Sequence, residues 1–166
     1  NKGISTISYN HLNLPTKVTI AGKNIDYKYD ATGAKLSKTV SGITTYYAGN
    51  FIYENDNLQF FNQPEGYVTP NGSNGFDYIY QYKDHLGNVR LSYSDTNNDG
   101  VITASSNPST NEIIEESNYY PFGLQHKGYN NIVNSNGNST AQKFGFGGKE
   151  LSEELGLNTM DFGARN

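Results

Sequence analysis

Residues 25–40 read IDYKYDATGAKLSKTV, and this stretch decides the fold. Tyr27 and Tyr29 alternate as they would on a strand, and Leu36 resumes a second strand after a short polar interval. Asp30 suits the start of a tight turn because its carboxylate accepts hydrogen bonds from turn amides. Gly33 suits the end of the turn because glycine adopts a positive φ without strain. The stretch therefore predicts a β-hairpin.

Two further stretches follow the same design. Residues 80–95, YQYKDHLGNVRLSYSD, place Asp84 and Gly87 in the two turn positions. Residues 7–20, ISYNHLNLPTKVTI, place asparagines there, and asparagine both caps turns and tolerates a left-handed backbone. A lone hairpin is marginally stable in water, so these hairpins are expected to stack on neighbours. An ordinary antiparallel meander is the alternative.

The composition agrees with an all-β chain. Of the 166 residues only 34% are hydrophobic, while Gly accounts for 18 and Tyr for 14. Tyr, Thr, Val and Ile favour strands, and Gly and Asn favour turns. Aliphatic residues are too few for a thick two-layer core, so tyrosine rings are expected to supply much of the packing.

The remaining segments are assigned from turn signals and periodicity. We predict strands within 43–68 with a turn at 54–57, and loops at 67–78 and 103–111. Residues 128–142 are expected to form a long surface excursion, and residues 112–117 either a strand or a helical turn. The one predicted helix is Ser152–Leu155, which Gly156 would end.

Charge and composition exclude several classes of function. The net charge is −4 without a basic cluster, which argues against a nucleic-acid surface. No apolar run approaches the ~20 residues of a membrane span. The absence of cysteine excludes disulfides and thiol catalysis. The chain begins at Asn1 without a signal peptide, so we expect an internal piece of a larger protein.

Three ordered blocks carry a family resemblance: YKDHLGNVRLSYSD (82–95), NYYPFGL (118–124) and KFGFGGKELSEELGLNTMDFGARN (143–166). Together with the repeated Tyr-Xaa-Tyr-Asp-Xaa-Xaa-Gly pattern, they resemble the YD repeats and repeat-associated core domain of Rhs proteins. The sequences of these blocks are most similar to those of Rhs proteins from Bacteroidetes. The resemblance extends from about residue 7 to the end of the chain.

The resemblance implies a fold in which antiparallel YD-repeat hairpins stack into the end of a spiral β-shell, or cocoon, with a short helix near the C-terminus. It implies a division into repeat hairpins at 1–94 and a core, or plug, at 95–166. Rhs shells enclose a C-terminal polypeptide that is usually a polymorphic toxin. We therefore expect a secreted or cell-surface bacterial shell fragment that encapsulates or delivers such a cargo.

The expected partners are the remainder of the same Rhs protein and its cargo, with secretion-system or cell-surface proteins as further candidates. No nucleic acid and no membrane span are expected. Two alternative functions stay open. One is a cell-surface adhesion or carbohydrate-binding module, which exposed aromatic stripes would favour. The other is part of an aspartate autoprotease.

The resemblance assigns no catalytic residue to this chain. The family pattern runs on beyond the end of the present sequence at Asn166, and its self-cleavage motif lies further downstream. We therefore expect no enzymatic activity here, although the full-length protein could cleave itself. Asp161 lies within the last block, where a structural or capping role is expected.

An aromatic block is predicted to pack as a plug or a corner, with a peptide-binding groove as the alternative. Its members are Tyr119, Tyr120, Pro121, Phe122 and Leu124. A second apolar cluster is expected around the C-terminal helix and would seal the shell. Its members are Phe144, Phe146, Leu151, Leu155, Leu157, Met160 and Phe162.

Residues 95–103, DTNNDGVIT, resemble the first half of a calcium loop. Asp95, Asn97 and Asp99 supply side-chain oxygens at alternate positions, and Val101 supplies a carbonyl after the glycine. The twelfth position is a serine, so Glu112 is the first acid that could complete the site. We predict a weak structural calcium site on a hairpin tip. The alternative is a polar turn without metal.

Overall fold

The computed structural model describes residues 3–126 and 137–162. Eleven antiparallel strands form one sheet in which the strand order follows the chain. They are β1 Ile4–Tyr9, β2 Pro15–Ile20, β3 Lys23–Tyr29, β4 Lys35–Val40, β5 Ile43–Ala48, β6 Phe51–Glu54, β7 Asn57–Gln63, β8 Gly66–Pro70, β9 Phe76–Lys83, β10 Val89–Tyr93 and β11 Ile113–Glu116. The all-β prediction is confirmed.

The other elements are short. Helix α1 spans Ser139–Gln142, and a two-stranded sheet pairs β12, Glu150–Ser152, with β13, Thr159–Asp161. Single 3-10 turns occur at Pro121–Gly123 and Glu154–Gly156. No helix in the described residues is long and apolar enough to cross a membrane.

The repeat turns share one geometry. In the β3–β4 turn, Asp30 Oδ1 accepts from the amides of Thr32 at 2.8 Å and Ala34 at 2.9 Å, and Gly33 has a φ of 90°. In the β9–β10 turn, Asp84 Oδ1 accepts from two amides at the same spacing, and Gly87 has a φ of 82°. The first hairpin uses Asn10 in the same way.

A fourth turn of this kind joins β8 to β9. Asn71 Oδ1 accepts from the amides of Ser73 at 3.2 Å and Gly75 at 3.0 Å, and Asn74 has a φ of 60°. The sequence predicts a loop over 67–78, and this hairpin was missed because asparagine replaces both signature residues. The irregular part of that segment is in fact residues 71–75.

The chain divides into two compact units. The first comprises residues up to Leu58 together with those from Leu151 onward. Its core consists of Val18, Ile20, Ile25 and Leu157, against which Tyr27 packs. Leu157, from the last block, thus completes the core of the first hairpins.

The second unit comprises Gln59–Glu150. Phe60 is buried and contacts Tyr67 and Phe144, each with ring centroids 5.7 Å apart in an edge-to-face arrangement. Ile79 and Ile114 are also fully buried. The predicted division into repeat hairpins at 1–94 and a core at 95–166 stays a prediction.

Two element predictions were wrong. Ser152–Leu155 is not a helix, since β12 ends at Ser152 and a 3-10 turn follows. The helix lies earlier, at α1, inside the segment 128–142 that was assigned to a surface excursion. Asn138 begins it by accepting from the amides of Thr140 and Ala141, and this cap was not recognised in an Asn-rich stretch. Residues 128–136 of the excursion lie outside the described residues. The open assignment of 112–117 resolves to a strand.

Candidate functional site

The three segments that carry the resemblance meet in the second unit. The amide of Val89 donates to the carbonyl of Gly145 at 2.7 Å, and the amide of Gly147 donates to Asn88 Oδ1 at 2.9 Å. The ring of Tyr119 contacts that of Phe146, with centroids 5.4 Å apart. We call this meeting point of 82–95, 118–124 and 143–149 the junction.

Asp84 organises the junction beyond its role in the turn. Its Oδ2 accepts from Asn88 Nδ2 at 2.9 Å and from Arg90 Nε at 3.0 Å, and a second guanidinium nitrogen lies 2.9 Å away. Desolvation would raise the pKa of Asp84, but the hydrogen bonds from Asn88, Leu86 and Arg90 outweigh it and lower the pKa to about 2. A charged turn residue thus fixes both Asn88, which binds Gly147, and Arg90.

Tyr119 sits at the centre of the junction. The guanidinium carbon of Arg90 lies 5.6 Å from the centroid of its ring, within the range of a cation–π contact. Burial raises the pKa of the Tyr119 phenol. A Cβ added at Gly145 would lie 2.4 Å from the Tyr119 hydroxyl, so the close approach requires glycine. The Gly-rich sequence of residues 145–148 is therefore a packing feature at this point.

The aromatic block is partly packed within this chain. Tyr119 is at the junction, and Tyr120 stacks on His126 with ring centroids 3.7 Å apart. Phe122 and Leu124, however, are 93% and 67% exposed within this chain, and their packing in a plug stays a prediction. Pro121 begins a 3-10 turn in which Phe122 has a φ of 70°.

The second predicted cluster is divided between the two units. Phe144 packs on Phe60 and Phe146 on Tyr119, whereas Leu155 and Leu157 belong to the core of the first unit. Phe162 is 51% exposed. The sequence placed these residues in one cluster because they are close along the chain, although the units divide at Glu150.

Ion pairs fasten the last block to the first hairpins. Lys38 Nζ lies 2.7 Å from Glu154 Oε1, and Lys38 is only 3% exposed. Lys35 pairs with Asp161, which is the structural role expected for that aspartate. Burial and the nearby Asp161 carboxylate raise the pKa of Tyr29 to about 12. The pairing of Lys35 and Lys38 with the acids of the last block was not predicted from the sequence.

The predicted calcium loop is closed by its own hydrogen bonds. Asp95 accepts from the amides of Asp99 at 3.2 Å and Gly100 at 2.9 Å, and Asp99 accepts from the amide of Val101 at 2.8 Å. Asn97 accepts from the amide of Asp99. These are the contacts of an Asx-rich turn.

Glu112 closes the same segment from the other side. Its Oε1 accepts from the amide and hydroxyl of Thr96 and the amide of Asn97, and its Oε2 accepts from the amide of Thr103 at 2.9 Å. The Thr103 hydrogen bond is the largest of several that lower its pKa. Both carboxylate oxygens therefore face loop amides. Within the described residues no group of three or more His, Cys, Asp or Glu could hold a metal ion. Calcium stays a prediction.

A second buried acid was not singled out from the sequence. Glu115 is 7% exposed, and its oxygens accept from Ser117 Oγ at 2.9 Å and Ser92 Oγ at 3.4 Å. Desolvation raises its pKa despite these two hydrogen bonds. Burial of an acid inside a short strand leaves no signal in the sequence pattern.

Among known proteins, only solved structures match this chain. No protein-family model matches the chain, and no curated protein matches it. Solved structures do match. The structure of TcdB2-TccC3-TEV aligns over 98% of this chain with a TM-score of 0.61 and 18% identity. TcdB2-TccC3 aligns over 98% with a TM-score of 0.61 and 17% identity.

The fold is Rhs-like. A third structure, TcdB2-TccC3 without its hypervariable C-terminal region, aligns over 99% of the chain with a TM-score of 0.60 and 17% identity. The chain spans about 8% of the length of the chains that it matches. At these identities the likeness establishes the architecture and leaves activity and partners to be argued separately.

Proposed function

We propose that this chain is a structural segment of an Rhs-type shell that encapsulates or delivers a C-terminal polypeptide, a toxin or effector. The observation that carries the proposal is the junction. Segments 82–95, 118–124 and 143–149 resemble the Rhs core in sequence, and in the structure they contact one another through Val89, Asn88 and Tyr119. Resemblance and packing thus concern the same residues.

The structural likeness supports the proposal. The match covers nearly the whole chain, so it concerns the arrangement of consecutive hairpins rather than one motif. One matched structure is described as lacking a hypervariable C-terminal region. By analogy, we infer that the variable polypeptide of this protein also lies C-terminal to the shell.

In this proposal the chain forms part of the shell wall and of the plug, and it carries out no reaction. The buried side chains at the junction form a hydrogen-bonded scaffold, and a scaffold of this kind suits containment. The partners are the rest of the same Rhs protein and its cargo, acting outside a bacterial cell or at its surface. The proposal also includes self-cleavage of the full-length protein, as a step separate from encapsulation.

The test is intact-mass measurement and limited proteolysis of the full-length protein. We expect the C-terminal polypeptide to resist protease while the shell is intact. Gly145→Ala forces a methyl group against the Tyr119 hydroxyl and is expected to increase cleavage of the cargo. Gly72→Ala is the matched control, because a Cβ at Gly72 meets nothing within 4 Å.

Two outcomes would contradict the proposal. One is a C-terminal polypeptide digested as fast as a denatured control in the unaltered protein. The other is equal protection in the Gly145→Ala and Gly72→Ala proteins despite a measured loss of stability in the former. A C-terminal fragment that is cut at one site, yet co-purifies with the shell, would add self-cleavage to the assigned properties.

A further inference from the structure

An aromatic stripe lies exposed on one face of β9. Phe76, Tyr78, Tyr80 and Tyr82 occupy alternate positions of the strand, and they are 50%, 54%, 38% and 64% exposed. Ile79, on the opposite face, is fully buried. Alternation along a strand puts these four rings on one side of the sheet. Four consecutive same-face rings left open to solvent are more than scattered surface aromatics require.

Neighbouring rings pack against three of the four side chains of the stripe. Tyr93 on β10 contacts Tyr80 and Tyr82, with centroids 5.7 Å and 5.6 Å apart. Phe61 on β7 meets Phe76 edge to face at 6.1 Å. Rings fixed before binding lose little conformational freedom when a ligand arrives. The stripe is therefore preorganised as a contact surface.

One end of the stripe borders a groove of about 620 Å³. Phe76, Tyr78 and Tyr80 line it together with Asp77 and Asp95. No lysine, arginine or histidine is among the described residues that line it. Asn71 donates to Asp77, and loop amides donate to Asp95, so both carboxylates are positioned by neutral donors.

This combination favours a cationic ligand. The face of an aromatic ring carries a negative quadrupole and attracts ammonium and guanidinium groups. Asp77 and Asp95 are also among the lining residues and add a negative field without a basic residue in the lining to balance it. A neutral ligand would use the rings but gain nothing from the charge. The Lys and Arg side chains of an extended polypeptide that lies beside the strand supply such cations.

We propose that this groove binds a basic segment of the enclosed polypeptide. The inference rests on the proposed function for the source of that segment. Lys or Arg side chains stack on Tyr78 and Tyr80 and are attracted by the negative field of Asp77 and Asp95. The groove would then hold cargo by charge and ring contacts that tolerate sequence variation, since only the basic character of the segment is required.

The experiment is photo-cross-linking in the full-length protein with its own C-terminal polypeptide. The photoreactive amino acid p-benzoylphenylalanine replaces Tyr78, and it preserves an aromatic ring at the position. After irradiation, mass spectrometry maps the attached peptides. The control places the same amino acid at Tyr46, which is 42% exposed on β5. We expect position 78 to attach to cargo peptides that contain Lys or Arg, and position 46 not to do so.

A second variant tests the charge. Asp77→Asn keeps the carbonyl oxygen that accepts from Asn71 and removes one negative charge. We expect it to reduce the cross-linked fraction severalfold, and added salt to reduce it in the unaltered protein because screening weakens surface attraction. Attachment to peptides without basic residues, or an unchanged yield for Asp77→Asn, would overturn the proposal.

Protease protection in the same samples separates the two proposals. A protected cargo with no attachment at position 78 refutes the groove and leaves encapsulation standing. An unprotected cargo refutes encapsulation, whatever is attached. Absence of polypeptide attachment together with binding of a neutral glucan oligosaccharide, lost on Tyr78→Ser, would assign the stripe to carbohydrate instead.

Discussion

Glu112 and Glu115 lie on one short segment, yet their surroundings shift their pKa in opposite directions. Backbone amides of the 96–103 loop converge on Glu112 and lower its pKa. Desolvation dominates at Glu115, to which two serine hydroxyls donate among the described residues, and raises its pKa. A carboxylate that receives several N–H donors stays charged in the folded state, whereas one surrounded by side chains with few donors favours a proton. Each acid therefore links stability to pH with its own sign.

Replacement of Glu112 by Gln is expected to destabilise the protein. The amide of Gln would turn an N–H group toward the donors on one side of the loop. In the unaltered protein the lowered pKa means that the stabilisation is fully present above the unfolded value of 4.5 and is lost as pH falls through the lower folded value. Melting temperature against pH checks this: the Glu112→Gln loss should be large at neutral pH and shrink in acid. Glu116→Gln, in the strand that directly follows Glu112, is the control, and an equal loss for both variants would contradict the role of Glu112.

Replacement of Glu115 by Gln should have the opposite effect. A folded pKa raised above 4.5 means that the unfolded chain releases its proton first as pH rises, so stability falls between the two values. Each unit of pKa difference corresponds to about 1.4 kcal/mol. Glu115→Gln keeps a carbonyl acceptor and removes the buried charge. We expect its free energy of unfolding to exceed that of the unaltered protein at neutral pH and to match it in acid. A variant that is less stable at every pH would show that packing, rather than charge, dominates at this position.

The calcium prediction also belongs to this scale. Chelation should lower the melting temperature of the full-length protein, and calcium near the ~millimolar range of extracellular modules should restore it. Asp95→Asn should abolish the response, while magnesium should not replace calcium. Identical melting curves with chelator and with calcium would contradict the prediction. The hydrogen bonds of Asp95, Asp99 and Glu112 would then stabilise the loop without a metal ion.

At the scale of elements, the sequence predicted what depends on local chemistry. The Asp30–Gly33 and Asp84–Gly87 turns are visible because their residue types are required by the turn itself. The Asn71 turn was missed because asparagine is also common in loops. Helix α1 was missed, and a helix at Ser152–Leu155 was predicted instead, since segments of four residues are decided by tertiary contacts rather than by propensity. Leu155 has a φ of 52°, which no helical pattern indicates.

The β8–β9 pairing depends on a glycine. A Cβ at Gly66 would lie 2.0 Å from the carbonyl oxygen of Ile79, and backbone atoms cannot move aside cheaply. We expect Gly66→Ala to cost about 3 kcal/mol, the upper end for overpacking, as measured by denaturant unfolding. Gly72→Ala, which lies in the next turn and meets open space, should change stability little. Equal effects would show that the strands separate without cost.

At the scale of the whole molecule, the sequence predicted which residues belong to the site. It did not predict that they contact one another. The three blocks were recognisable one by one from their sequences. Their contact through Val89, Asn88 and Tyr119 depends on backbone amides and on the absence of a side chain at Gly145, which composition and spacing do not reveal. The two acids at Glu112 and Glu115 show the same limit, because the fold decides that loop amides donate to Glu112 and that the hydroxyls of Ser92 and Ser117 donate to Glu115.

The last prediction concerns the edges of the sheet. β1 and β11 are the first and last strands in its order, and β1 is largely exposed, with Ile7 39% and Tyr9 58% accessible. An exposed strand with free backbone groups and apolar side chains is a template for pairing with another chain. The 166-residue polypeptide expressed by itself should therefore elute in size-exclusion chromatography above the mass expected from its 18.3 kDa. Ile7→Lys places a charge on that edge strand and should shift the elution toward the monomer, whereas Ile43→Lys, at a 53% exposed position on the internal strand β5, should not. A monomeric unaltered chain would show that the β1 edge is protected, and an equal shift for both variants would assign self-association to general surface hydrophobicity rather than to strand pairing.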